Sequence, residues 1–158
     1  MGMRFIKPLG VVLGMAVLLS AAYSFYYHDR PRVDAQAYDR IAWNMARGLG
    51  YVENEANAGD PRADDAIVRV GPGYEFFLAG IYALTGHVIW VVWLFHALLR
   101  GATVYGVYLL TRLLLKDAMP AWRERAAIVA AFLFGFSPDL IVINGLLLTE
   151  TLFLFLLT

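Results

Sequence analysis

The chain has no cysteine. That excludes a disulfide framework, thiolate catalysis and a Cys-ligated zinc centre. Its histidines, His28, His87 and His96, stand far apart and offer no local metal-ligand spacing. Charge is scarce too: 16% of the 158 residues are Asp, Glu, Lys or Arg, against about 25% in a soluble domain. The 13 basic residues are balanced by 13 acidic ones, so the basic surplus of a nucleic-acid binder is missing and no nucleic-acid partner is expected. There is no Walker loop, no GxGxxG before a helix, no HExxH and no GxSxG. Internal repeats and low-complexity linkers are absent as well.

What the chain has in excess is apolar surface. Apolar residues make up 60% of it and gather into long runs, with the charges between them. Residues 9–27 are uncharged, sit behind Arg4 and Lys7, and end in the aromatic group Tyr23, Phe25, Tyr26 and Tyr27. As a helix this run measures ~28 Å, close to the ~30 Å hydrocarbon core of a bilayer. A cleaved signal peptide with Ser20-Ala21-Ala22 as its small-residue site is the rival reading. Further apolar runs cover 88–110, 126–145 and a last stretch from about 148 to the chain end. The stretch 74–85 is apolar but too short to span, and reads as an interfacial helix. The link between Arg112 and Arg125 is dense in Arg and Lys, like the N-terminus, and both are expected on the cytoplasmic side. The polar loop 28–73 then lies outside, and so do residues 145–150. The expected fold class is an all-α polytopic membrane protein. Because the last apolar run stops in mid-hydrocarbon, the sequence is expected to be the N-terminal part of something longer, inactive alone.

Several polar residues at the outer boundary could carry chemistry. Asp34 to Gly48 reads as an amphipathic helix with Tyr38, Ile41, Ala42 and Met45 on one face. Asp34 suits either a helix N-cap or a general base. Arg69 precedes the turn Gly71-Pro72-Gly73 and could either snorkel to lipid phosphate or clamp a substrate phosphate. Glu150 is an ionisable group inside an apolar run, which marks it as a functional candidate; a carboxylate favoured by a helix dipole is the plainer reading. His96 and Arg100 are one helical turn apart, with Trp93 on the same face. Arg100 and Asp139 both fall near mid-membrane, so an Arg100–Asp139 ion pair is expected. The alternative has Pro138-Asp139 breaking the helix, with Asp139 facing a water-filled cavity.

Three stretches taken in order resemble a known family. Asp34, Tyr38, Ala42, Met45, Gly48, Gly50 and Tyr51 form the first. Gly71-Pro72-Gly73-Tyr74-Glu75-Phe76-Phe77-Leu78-Ala79 forms the second, and Thr149-Glu150-Thr151-Leu152-Phe153 the third. Together they are similar to the start of a GT-C membrane glycosyltransferase of the family 39 group. That group holds the dolichyl-phosphate-mannose protein mannosyltransferases and the lipid A aminoarabinose transferases. The resemblance implies that residues 1–158 are the N-terminal part of one transmembrane glycosyltransferase domain. It implies a polyprenyl-phosphate-sugar donor, a protein or lipid acceptor, and a bacterial inner membrane as the location. Asp34 would act as base or acceptor-orienting carboxylate and Glu150 would assist, with Tyr38, Arg69, Tyr74 and His96 binding substrate. It implies no certain cofactor and leaves room for a divalent cation. The chain departs from the family pattern at Gly71 and Trp93, where relatives often carry basic residues. The competing expectation is a non-enzymatic membrane module, a flippase partner or assembly subunit, in which the same polar positions serve capping and packing.

Overall fold

The structure is a computed structural model that describes residues 3–60, Arg62, Asp64 and 71–158; for residues 3–6 it describes the backbone alone. Among the described residues there is no strand. Seven α-helices follow in order: α1 Met3–Tyr27, α2 Asp34–Ala46, α3 Pro72–Thr85, α4 Ile89–Leu114, α5 Pro120–Gly135, α6 Pro138–Gly145 and α7 Thr149–Leu157. A short 3₁₀ turn, Glu55–Asn57, lies in the loop after α2. Among the described residues two helices, α1 and α4, are long and apolar enough to cross a membrane. The pair α5 and α6 passes the same test jointly but is bent by 53° at its junction.

The bundle proper is α1, α4 and α5, packed around Val12, Ala16, Val104, Tyr108, Ala127 and Ala131. Small residues let these helices approach, as is usual where the surroundings are as apolar as the core. A Cβ placed on Gly101 of α4 would stand 2.6 Å from Val17 Cγ2 of α1. One on Gly145 of α6 would stand 2.9 Å from the Tyr23 ring of α1. Two hydroxyls on the long helices bond to their own backbone: Ser24 Oγ donates to Ser20 O at 3.0 Å, and Thr103 Oγ1 to Leu99 O at 2.8 Å. Each is thereby satisfied without water. Leu18, Leu98, Leu113 and Leu133 point outward, fully in keeping with an apolar solvent around the bundle. At the end remote from α2, Arg112 pairs with Glu124 at 2.8 Å and the Tyr108 hydroxyl donates to the same carboxylate at 2.7 Å. This clasp ties α4 to α5 across their short connection.

The other end carries α2 and α3, packed on each other and on the start of α4. Leu147, from the extended residues between α6 and α7, is buried in the same cluster as Ala35, Ala42, Tyr74, Leu78 and Trp93. Pro120, Pro138 and Pro72 each open a helix, where a missing N–H costs nothing and the fixed φ helps. Pro138 also explains why α5 stops: the residue before a proline is pushed out of helical geometry. The carbonyls this leaves free are taken by Arg100, whose Nη2 donates to Gly135 O at 3.0 Å and to Phe134 O at 3.3 Å.

Two expectations are corrected here. The Arg100–Asp139 pair does not form; Asp139 is exposed on the first turn of α6, while Arg100 is buried against the end of α5. Backbone carbonyls at a helix C-terminus carry partial negative charge and lie nearer than the carboxylate, so they win the guanidinium. Asp34 is not the N-cap of α2. That position falls to Val33, whose side chain caps nothing and whose φ of 50° is strained for a β-branched residue.

Gly101 gives a direct check on the packing. Replacing Gly101 with Ala must part α1 from α4 against a stiff valine, and is expected to cost about 1–3 kcal/mol. Gly10, on the same bundle, has nothing within 4 Å of its Cβ position. Gly10→Ala is therefore expected to leave stability unchanged or raise it by up to about 1 kcal/mol. Thermal unfolding of both variants in one detergent compares them.

Candidate functional site

Helix α2 is positioned from both sides. Its Asn44 Nδ2 donates to Val52 O at 2.9 Å and to Glu53 O at 3.2 Å, which folds the following loop back on the helix. Its Asp39 accepts from Tyr82 Oη of α3 at 2.6 Å and from His87 Nε2 at 2.8 Å. The positive φ of Gly48 and Gly50 turns the chain between these anchors. Tyr38, one turn after Asp34, is thus held edge-on against Tyr74, with ring centroids 5.5 Å apart.

Tyr38 lies within the electrostatic reach of three carboxylates. Its hydroxyl is held above its ordinary pKa, first by burial and then by the charges of Asp34, Glu75 and Glu150, with Thr149 pulling back. These groups come from α2, α3 and the start of α7, far apart in sequence. Asp34 and Glu150 are both exposed. Glu150 accepts from Thr149 Oγ1 at 3.2 Å. Asp34 makes no hydrogen bond or ion pair among the described residues, so its oxygens are free to take a proton from an incoming group.

Behind Tyr38 runs a buried relay. Tyr74 Oη and His96 Nε2 are 3.0 Å apart, and His96 Nδ1 is 3.0 Å from Asn144 O. A carbonyl only accepts, so Nδ1 carries the proton and Nε2 accepts from Tyr74. Burial foremost, with the charges of Asp39 and Glu150 adding to it, keeps the Tyr74 hydroxyl protonated as that role requires. The relay links α3, α4 and α6, and fixes the ring against which Tyr38 rests.

Five of the six residues singled out in the sequence therefore meet at one end of the bundle: Asp34, Tyr38, Tyr74, His96 and Glu150. Arg69 lies outside the described residues. Glu75 was not singled out from sequence, yet its side chain is fully buried, accepts from Tyr51 Oη at 3.1 Å, and leaves Oε2 with no partner. Its signal was present: an acid three residues after a helix-opening proline sits on the first turn, but the pattern does not say which way it faces. Burial raises the Glu75 carboxyl above its ordinary value, against weaker opposite pulls from its own backbone and from Tyr51.

Two cavities border α2. One, of about 390 Å³, is lined by Asp29, Arg30, Pro31, Arg32 and Ala35 on one side and by Leu146, Leu147 and Leu148 on the other. The lining thus combines two arginines and an aspartate with three leucines. The other, of about 860 Å³, lies against the opposite face of α2, between Asp39, Trp43, Asn44, Glu53 and His87. No group of three His, Asp or Glu that could hold a metal ion gathers among the described residues. Comparison with protein-family models, curated proteins and solved structures gives no match for this chain.

Glu75 carries a pH prediction. The unfolded chain ionises this group near 4.5 and the folded chain does so higher, so ionisation costs stability as pH climbs through that interval. Glu75→Gln removes the cost. It is expected to unfold at a higher temperature than the parent at about pH 7, and at the same temperature at about pH 4. Melting curves at the two pH values measure it; a Gln variant less stable at neutral pH would show that the buried charge is compensated.

Proposed function

We propose that the protein transfers a sugar from a polyprenyl-phosphate-linked donor to a protein or lipid acceptor, in the manner of the GT-C glycosyltransferases of family 39. The reaction takes place at the outer face of a bacterial inner membrane. The N-terminus and the link between Arg112 and Arg125 lie in the cytoplasm. The fold on this reading is that of a polytopic enzyme in which α1, α4 and the bent α5–α6 pair span the bilayer, with α2 and α3 on its outer surface.

The observation that supports the reading is that Tyr38, packed edge-on against the Tyr74–His96 pair, lies within the electrostatic reach of the exposed carboxylates Asp34 and Glu150 and of buried Glu75. The cavity beside it supplies the complementary half. Arg30 and Arg32 pair with the donor phosphate, and Leu146–148 cover the first isoprene units. Asp34, the free carboxylate, takes the proton of the acceptor hydroxyl as its oxygen bonds to the anomeric carbon. The bond from that carbon to the phosphate oxygen breaks, and the lipid phosphate leaves with its charge neutralised by the arginines. Attack opposite to the leaving group inverts the anomeric centre. Glu150 and Tyr38 orient the acceptor, and Tyr74 and His96 hold Tyr38 in place. Arg69 remains the other candidate for the phosphate; Arg30 and Arg32 are named because they line this cavity.

Asp34→Asn is expected to lower transfer from a radiolabelled polyprenyl-phosphate sugar by about 10²–10⁴-fold, the usual worth of a general base, at unchanged protein level. Arg32→Ala is expected to raise the apparent KM for the donor more than it lowers kcat. The assay uses membranes carrying the protein at the full length its gene encodes. Undiminished transfer by the Asp34 variant removes the mechanism, and no donor-dependent labelling by the parent protein favours the non-enzymatic module.

A further inference from the structure

The cavity of about 860 Å³ beside α2 has the size of a small-molecule site and opens to water. Asp39 stands in its wall, only 9% exposed. One oxygen, Oδ1, is doubly engaged, by Tyr82 Oη at 2.6 Å and His87 Nε2 at 2.8 Å. The other, Oδ2, has no partner among the described residues and yet is not sealed in the interior. His87 lines the same cavity and is held as firmly. Its ring stacks on Trp43, with centroids 5.1 Å apart and planes 11° apart, and meets Tyr82 edge-on at 4.9 Å. A carboxylate only accepts, so in the neutral ring Nε2 carries the proton and Nδ1 is left as an acceptor. Nδ1 too has no partner among the described residues. The unmatched atoms are both acceptors, on side chains that cannot turn away to find a donor.

We infer that this cavity binds a small organic molecule through a primary ammonium group placed against Asp39 and His87. Acceptors call for a donor, and Asp39 calls for a charge as well. The other acids of the lining are already answered. Glu53 faces Arg40 at 3.7 Å, Glu55 pairs with Arg47, and Asp64 accepts from the backbone N–H groups of Glu53 and Asn54. Asp39 has no arginine or lysine partner among the described residues. An ammonium supplies three N–H donors and the missing positive charge. A hydroxyl donates too, but leaves a nearly buried carboxylate without a counter-ion. A bare metal ion is a poor fit, since no group of three His, Asp or Glu that could hold one gathers among the described residues. Trp43 adds an aromatic wall that already accommodates one cation: the Arg47 guanidinium lies 5.3 Å from its ring centroid. The site is separate from Asp34 and independent of any transferase chemistry.

The experiment titrates the protein, at the full length its gene encodes and in zwitterionic micelles, with cadaverine and separately with its neutral analogue pentanediol, at constant ionic strength. Nuclear magnetic resonance follows the tryptophan indole N–H signals, and Trp43→Phe identifies the one that belongs to Trp43 by its loss. Cadaverine is expected to shift that signal saturably, and the diol to leave it in place. Asp39→Asn keeps an acceptor for Tyr82 but removes the charge. It is expected to weaken the cadaverine midpoint by about tenfold or more, the loss of one hydrogen bond to a charged group. Should this variant fail to fold, the comparison of amine with diol on the parent protein still decides. An equal shift with the diol, no saturable shift with the amine, or a midpoint unmoved by Asp39→Asn overturns the assignment.

Discussion

The molecule turns on the contact between Arg100 and the exposed carbonyls of Phe134 and Gly135. A helix that stops inside an apolar layer leaves acceptors without water to satisfy them, and only another part of the chain can do so. Arg100 supplies that donor from the middle of α4. With the carbonyls satisfied, α5 can end at Gly135 and α6 can leave at a bend of 53°. The same bend brings Asn144 under His96 and Gly145 against Tyr23.

From there the consequences run toward the surface. Residues 146–148 emerge extended, bury Leu147 against α2 and α3, and start α7 beside Tyr38. Glu150 therefore reaches the same neighbourhood as Asp34 because a buried arginine tolerates a broken helix some distance below. The relay from Asn144 through His96 and Tyr74 stiffens the route. Helix α2 is fixed on its other face by Asp39 and Asn44, two polar residues buried only because each has its partners within reach. The site is thus rigid behind and open in front, an arrangement suited to exposed carboxylates that must meet a partner from water.

Legibility followed the range of the physics. The uncharged run ending in Tyr27 and the glycines after Ala46 act locally, and the helices lie where these signals put them. Asp34 and Glu150 were visible as acids beside apolar runs. Glu75 was not, because its importance comes from burial, and burial depends on which face of α3 meets α2. Arg30 and Arg32 looked like two among many arginines until Leu146–148 were placed across from them. The partner of Arg100 was misread because sequence arithmetic gives depth along a helix axis but not direction around it.

The sequence by itself placed the two helices long and apolar enough to cross a membrane, since apolar length is a property of a single stretch. Only the tertiary structure decided that Tyr74, His96 and Asn144 form one chain of hydrogen bonds and that a guanidinium serves a helix end and not Asp139. Each of these joins groups from different helices. Their relative rotation is set by close approaches such as Gly101 on Val17, which no pattern within one segment encodes.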